Sequence, residues 1–368
     1  MKIGFISTFD VCDKSAWSGT INFLYETLKN EYDIYPIVVK LHPIQKIISR
    51  ITKIIICGKR KFTMIDQFFN KINVKHNIKK AQKNGVDVFF APAASTLLGV
   101  ANIPANCKVI YLSDATYHCM INYYYFNENQ KDIKKFNSME KNSLYRADEI
   151  IFSSDWAKQD AIKYYGVDEK KIHVLPFGAN LDDKYIEHNI GDIIKILFVG
   201  VEWERKGADL AIECINILNN KNYKKKFELT LIGLDKPKQY VESEFVHFVG
   251  KLNKNNREEF RLMISYYQNS DIFLLPTKAE CAGIVFSEAS MYGLPIFTHN
   301  TGGISSYVDD RKMGRTLKLG STGKDFADAI LEMLINNKYQ EWSKNSRQKF
   351  ESELNWKCWF DNCKKIIG

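Results

Sequence analysis

Short apolar runs alternate along the whole chain with longer segments whose apolar residues recur at helical spacing. This alternation predicts parallel sheets covered by helices on both faces. In the first half it predicts strands over Lys2–Thr8, Ile34–Val39, Val86–Pro92, Val109–Asp114, Glu149–Ser153 and Ile172–Phe177. In the second half it predicts strands over Lys195–Gly200, Phe227–Gly233, Phe245–Gly250, Asp271–Thr277 and Leu294–Asn300. Each half reads as its own Rossmann-like, doubly wound α/β domain. Two such domains facing each other would present the carboxyl ends of their strands to a central cleft, where open α/β sheets bind ligands.

Between the halves, Gly178-Ala179-Asn180-Leu181-Asp182-Asp183-Lys184 runs on to Gly191-Asp192, a polar stretch with turn formers and weak periodicity that reads as a linker. The predicted division is 1–184, 185–345 and a C-terminal helical piece 346–368. The tail from Asn336 to Gly368 carries Trp342, Phe350, Trp356, Trp359 and Phe360 at helical spacing, so it needs a surface to pack on. Finishing the second core and crossing back to the first domain both satisfy that need.

Composition narrows the classes. At 368 residues and 45% hydrophobic residues, the chain is long enough for two cores. Fifty-two basic against forty-three acidic residues leave a net charge of +9, which favours anionic partners. The basic residues follow no nucleic-acid-binding pattern, so nucleic acid is not an expected partner. The eight cysteines form no CxxC pair and no zinc spacing, which predicts reduced, packed thiols and no metal. Asp10, Asp13 and Lys14 interrupt the N-terminus before a signal-peptide core can form, and nowhere do eighteen apolar residues run together. A cytoplasmic protein is expected.

Three strand-to-helix turns carry candidate chemistry. The strongest is Pro276-Thr277-Lys278-Ala279-Glu280-Cys281-Ala282-Gly283-Ile284-Val285-Phe286-Ser287-Glu288, directly after a predicted strand. A helix beginning there exposes free backbone N–H groups to phosphate or sugar oxygens, and Gly283 lacks a side chain that would hinder approach. Glu280 on the loop and Glu288 one turn into the helix can address different hydroxyls of one ligand, the sugar and a ribose. The second turn, Phe198-Val199-Gly200-Val201-Glu202-Trp203-Glu204-Arg205-Lys206-Gly207, sets two cations at a helix start, where the dipole disfavours them unless an anion joins. Fixed cations suit the charge that develops on a departing diphosphate. The third, Asp13-Lys14-Ser15-Ala16-Trp17-Ser18-Gly19-Thr20, lacks the spacing of a nicotinamide loop, but Gly19 allows close approach of a sugar or diphosphate.

Together with Val174-Leu175-Pro176-Phe177-Gly178-Ala179-Asn180 and Gly302-Gly303, these turns resemble retaining glycosyltransferase family 4, of GT-B fold and of the bacterial polysaccharide or glycoconjugate type. The resemblance implies that Arg205 and Lys206 hold a donor diphosphate, Glu280 the transferred sugar, Glu288 the ribose, and the amides of Ala282, Gly283 and Ile284 the phosphates or sugar. It further implies that Gly200 and Gly19 line the donor site and that Gly250-Lys251-Leu252 flanks the base. No divalent metal or other cofactor is implied, and the chain has no D-x-D triplet to hold one. Two departures stand out. Val201 occupies a position where the family often has arginine, and Ser113-Asp114 stands where a His-Asp pair is common. Asp114 is then the first acceptor-side candidate and His118 the second.

The implied activity is retaining transfer of a hexose or N-acetylhexosamine from a nucleotide-diphosphate sugar, UDP ahead of GDP, to a glycan or lipid-linked acceptor. A sugar-nucleotide epimerase of the same fold and a non-catalytic sugar-nucleotide-binding protein are the rivals; only products separate them. From Ile34 to Ile65 there are seven basic residues and no acidic one, with Ile47, Ile48, Ile51, Ile54 and Ile55 at helical spacing and Lys59-Arg60-Lys61 following. This basic amphipathic helix could dock on the N-terminal sheet or meet an anionic membrane surface, which would place the protein peripherally at the inner face of the cell membrane.

Overall fold

The computed structural model describes residues 1–39, 43, 44, 47, 64–187, 189–221, 223–237 and 243–368. The predicted basic helix and its Lys59-Arg60-Lys61 run lie outside the described residues, Ile47 excepted. The chain forms two units: residues 1–152, 157–175 and 363–368 make the first, and residues 153–156 and 176–362 the second.

In the first unit six parallel strands, β1 (Lys2–Ser7), β2 (Asp33–Val38), β3 (Val88–Pro92), β4 (Lys108–Ser113), β5 (Glu149–Phe152) and β6 (Ile172–Val174), lie in the order β2-β1-β3-β4-β5-β6. Every residue of β3 is buried, which explains why its sequence, Val-Phe-Phe-Ala-Pro, is apolar without alternation. Phe5, Phe89, Phe90, Tyr111 and Phe152 fill this core.

The second unit repeats the plan. Strands β7 (Ile193–Val199), β8 (Lys226–Ile232), β9 (Val246–Gly250), β10 (Ile272–Leu275), β11 (Ile296–His299) and β12 (Gly314–Leu317) lie parallel in the order β12-β11-β10-β7-β8-β9. Strand β12 is absent from the sequence reading. Its four residues, Gly-Arg-Thr-Leu, follow the polar Asp309-Asp310-Arg311-Lys312 and offer no apolar run, yet they pair with β11 at the sheet edge.

The polar stretch 178–192 is not a free linker, because its first part is fastened within the second unit. Phe177 N–H donates to Tyr307 Oη at 3.0 Å, and Ala179 N–H to the Leu354 carbonyl at 3.1 Å. Trp356 Nε1 donates to Asn180 at 3.0 Å, and Arg347 grips both oxygens of Asp183 at 2.9 and 2.8 Å. The chain therefore enters this unit at Pro176 rather than near residue 185. The tail forms two helices, Tyr339–Ser352 and Trp356–Ile367, with Trp342, Phe350, Trp356, Trp359 and Phe360 all buried. Residues 363–368 count with the first unit, where Lys108 Nζ donates to the carbonyls of Ile366 and Ile367 at 2.5 and 3.2 Å.

In both sheets chain order reverses direction at one place, between β1 and β3 in the first and between β7 and β10 in the second. Loops leaving the carboxyl ends of strands beside such a reversal form the ligand-binding crevice of open α/β sheets.

The first core buries one carboxyl group. Glu140, on the helix Gln130–Arg146, is 3% exposed and accepts from the Tyr111 hydroxyl at 2.9 Å. Burial pushes its carboxyl up to about 7, against opposing hydrogen bonds from Tyr111 and Ser95. The folded state thus holds this proton more tightly than the unfolded chain. The sign follows: stability is greatest below the unfolded value of 4.5 and falls as pH rises through about 7. The difference of 2.5 pH units corresponds to about 3 kcal/mol. Glu140→Gln keeps an acceptor for Tyr111 and removes the titration, so its stability relative to wild type should improve by about that amount between pH 5 and pH 8. Denaturant melts at the two pH values test this, and an unchanged difference would refute it.

Candidate functional site

At the carboxyl end of β7 the chain passes Gly200 and turns through Glu202, at φ 71°, into the single helical turn Trp203–Lys206. Gly207, at φ 73°, then starts the helix Ala208–Asn220. A Cβ on Gly207 would lie 2.2 Å from the Pro276 carbonyl oxygen, so only glycine lets the loops after β7 and β10 approach this closely. Hydrogen bonds clamp the same loops: Lys278 N–H donates to the Arg205 carbonyl at 2.7 Å, and Thr277 Oγ1 to the same oxygen at 3.2 Å.

This clamp brings together the cations and the first glutamate of the sequence prediction. The Lys206 stem lies over Gly200, where a Cβ would sit 3.0 Å from Lys206 Cγ. Its Nζ is hydrogen-bonded to Glu280 Oε2, with the two side chains only 9% and 12% exposed. Arg205 Nη1 lies 4.0 Å from the same oxygen. The Arg205 guanidinium also donates to both Glu202 oxygens, at 3.0 and 2.9 Å, and to the Ala279 carbonyl at 3.1 Å. Hydrogen bonding from Arg205, followed by its charge, holds the Glu202 carboxyl below its ordinary value against a partial desolvation cost. Val201, at the position where the family often has arginine, is half exposed.

After Glu280 the chain turns at Gly283, φ 67°, into the helix Ile284–Met291. A Cβ on Gly283 would fall 2.4 Å from the Phe286 ring, so the glycine is required by the turn's own packing, quite apart from any ligand. Ala282 and Ile284 are buried on either side. At this helix start the first backbone N–H groups have no partner within the helix. Glu288 lies deeper than the sequence suggested. It is 1% exposed and held by Lys254 Nζ at 2.6 Å and the Tyr267 hydroxyl at 2.9 Å. Both partners escaped the sequence reading: Lys254 stands in the polar run Lys251-Leu252-Asn253-Lys254-Asn255-Asn256, and Tyr267 reads as a core position. Gly250 ends β9 with φ 79° and lines a groove with Leu234, Asp235, Lys236 and Phe248; Lys251 and Leu252 follow it.

In the first unit, Trp17, Ser18 and Gly19 after β1 take three successive left-handed conformations, φ 49°, 58° and 93°. The Trp17 indole N–H donates to Asp114 Oδ2 at 3.2 Å, joining this loop to the end of β4. His118 stands apart from that pair. Its Nδ1 lies 2.6 Å from Asp160 Oδ1, its ring stacks on Tyr164 at 3.4 Å, and Thr116 donates to the other Asp160 oxygen. The result is a histidine–carboxylate dyad between His118 of the short helix Tyr117–Met120 and Asp160 of the helix Asp155–Lys163, with the His118 side chain 38% exposed. Asp160 carries no local sequence signal, because forty-two residues separate it from His118.

Among the described residues no group of three or more His, Cys, Asp or Glu side chains is placed to hold a metal ion, and no helix is long and apolar enough to cross a membrane.

The two sheets with their flanking helices have the GT-B fold. The chain belongs to the glycosyltransferases that join a Family 4 segment, matched over residues 56–183, to a segment of glycosyl transferases group 1, matched over 183–349. It is 27% identical over 236 residues to the capsular polysaccharide biosynthesis glycosyltransferase CapM of Staphylococcus aureus, covering 59% of this chain and 62% of the relative. It is 26% identical over 230 residues to the lipopolysaccharide glucosyltransferase WaaG of Escherichia coli strain K12, covering 56% and 59%. The chain thus spans about three fifths of the length of these curated relatives. Solved structures share the fold over nearly the whole length. A glycosyltransferase from Rickettsia africae ESF-5 has a TM-score of 0.67 at 15% identity and covers 100% and 97% of the two chains. Anabaena Alr3699/HepE in complex with UDP has 0.66 at 15%, covering 100% and 99%.

The close approach at Gly207 yields a direct test. Gly207→Ala combines a left-handed backbone with a clash against Pro276, so it should cost the second unit at least about 1–3 kcal/mol from backbone strain alone. Thermal unfolding should fall by several degrees; a melt matching wild type would show that the two loops are not pressed together at this point.

Proposed function

We propose that the protein is a retaining, metal-independent glycosyltransferase that needs no cofactor. It moves a hexose or N-acetylhexosamine from a nucleotide-diphosphate sugar, UDP ahead of GDP, to a glycan or lipid-linked acceptor in surface polysaccharide or glycoconjugate synthesis. The observation that carries this reading is the nearly buried cluster of Lys206, Glu280 and Arg205 at the chain reversal of the second sheet, beside the amide-bearing start of the helix Ile284–Met291. The names of CapM and WaaG support the polysaccharide setting, and the UDP complex of Alr3699/HepE supports UDP.

The chemistry follows from an exchange of partners. Without donor, Glu280 neutralises Lys206 and Glu202 neutralises Arg205. A diphosphate carries more negative charge than either carboxylate and draws both cations to itself, aided by the amides of Ala282, Gly283 and Ile284. Glu280 is then released from Lys206 and accepts hydroxyls of the transferred sugar, while Glu288 accepts from the ribose and Gly250-Lys251-Leu252 flanks the base. As the bond from the anomeric carbon to the diphosphate lengthens, negative charge grows on the leaving oxygens, where the fixed cations stabilise it most. Attack comes from the face the diphosphate leaves, and the departing phosphate takes the acceptor proton. Asp114 and, second to it, His118 orient the acceptor. The basic stretch ending in Lys59-Arg60-Lys61 would hold the protein peripherally on an anionic cytoplasmic membrane face, where a lipid-linked acceptor is available.

Lys206→Ala should lower turnover about a hundredfold or more, since it removes stabilisation that grows in the transition state. The assay is transfer or hydrolysis over a panel of UDP- and GDP-sugars, with products identified so that epimerisation and mere binding are told apart. Turnover within twofold of wild type would sink the assignment. Activity should also persist in excess EDTA; loss that manganese or magnesium restores would overturn metal independence.

A further inference from the structure

Glu288 presents a problem that the donor-site reading leaves open. A ribose-binding carboxylate has to remain charged, yet this one is 1% exposed. A carboxylate removed from water gives up its charge unless a cation or several hydrogen-bond donors compensate it. Three titratable side chains face Glu288. Tyr267, fully buried on the helix Arg257–Gln268, donates its hydroxyl to Oε2. Tyr292 stacks on Tyr267 with ring centroids 5.7 Å apart and directs its own hydroxyl to the Asp182 carbonyl at 2.6 Å. Lys254, from the loop between β9 and that helix, donates to Oε1 at 2.6 Å. Among the described residues it is the cation paired with Glu288, and its side chain is only 14% exposed.

An exposed lysine–glutamate pair would mean little, since such pairs contribute next to nothing. Here both partners are withdrawn from solvent, and the pair lies beside the helix that carries the sugar-facing loop. Its chemistry also fits a particular ligand group. A ribose hydroxyl both donates and accepts; a carboxylate only accepts, and an ammonium only donates but has three protons, of which Glu288 takes one. Glu288 and Lys254 together therefore match a hydroxyl that neither matches alone.

We infer that Lys254 completes the ribose subsite, holding Glu288 aimed while donating to the same ribose hydroxyl from which Glu288 accepts. This inference rests on the proposed donor-site role of Glu288. It distinguishes Lys254 from Lys206 and Arg205, whose partner is the diphosphate.

Calorimetric titration of the full chain with UDP, 2′-deoxy-UDP, GDP and 2′-deoxy-GDP tests it. Wild type should prefer the ribonucleotide by about tenfold or more, as expected for a hydrogen bond to a charged group. In Lys254→Met that preference should shrink to within about twofold, with the ribonucleotide losing most of the affinity. Lys254→Arg should retain most of the preference. A folded Lys254→Met with the wild-type ratio overturns the inference. If Lys254→Met does not fold, Lys254→Gln is decisive in its place: loss of preference supports the role of the charge, and an unchanged ratio refutes it. Wild type that binds both members of a pair equally overturns the ribose assignment of Glu288 itself, and wild type that binds none of the four overturns the donor-site reading.

Discussion

The second unit is organised around the burial of the Lys206 ammonium. A lysine taken almost wholly out of water is tolerated only beside an opposite charge with good geometry, because desolvating each ion costs several kcal/mol. Glu280 supplies that charge, but it lies on a loop from another strand, so the two loops have to meet. Much of the local backbone follows from that requirement. Gly200 leaves room for the lysine stem, Gly207 lets the chain press against Pro276, and Lys278 and Thr277 both bond to the Arg205 carbonyl. Removing the Glu280 carboxylate would take from the Lys206 ammonium its ion-pair partner in a nearly dry place.

Unusual backbone gathers at the same topological position in both units. Among the described residues, four non-glycine residues with positive φ, Trp17, Ser18, Ala93 and Glu202, follow strands β1, β3 and β7, which border the two chain reversals. The other four are three asparagines and one arginine, Asn122, Asn127, Asn337 and Arg311. Asparagine enters the left-handed region readily, whereas tryptophan, alanine and glutamate do so at a cost of about 1 kcal/mol or more. Surrounding contacts maintain that strain. Trp17 is tied to Asp114, and Glu202 to Arg205, so two of these strained residues carry a polar group bonded to a candidate site residue.

What could be read from the sequence depended on how local each signal was. Eleven of the twelve strands carry enough apolar residues to stand out between helix-patterned segments, the fully buried β3 and β10 most plainly; β12 does not, because an edge strand of four mostly polar residues has no such run. Glu280 and Glu288 were legible because strand, loop and helix follow one another without interruption. Lys254 was not legible, since thirty-four residues separate it from Glu288, and nothing in a lysine-rich loop marks one ammonium as buried. Asp160 escaped for the same reason. The boundary near residue 185 differs from the crossing at Pro176 because turn-forming residues are common to free linkers and to loops pinned in place, and partners distant in sequence, among them Tyr292, Tyr307, Arg347, Leu354 and Trp356, distinguish the two here.

Val201 gives the loop after β7 its particular character. Were that position an arginine, as the family resemblance led us to look for, a third cation would stand at the end of β7 without a carboxylate of its own. Instead the two cations there, Arg205 and Lys206, are each matched by a glutamate, and the four side chains sum to no net charge. The overall surplus of +9 therefore says little about this loop. On the proposed reading, the site attracts a diphosphate by exchanging partners, and the exchange frees the carboxylate that the sugar requires. Recognition of the diphosphate and recognition of the sugar are then coupled through the single bond between Lys206 and Glu280: a ligand bearing only one of the two groups would leave either a cation or a carboxylate without a partner in a dry site.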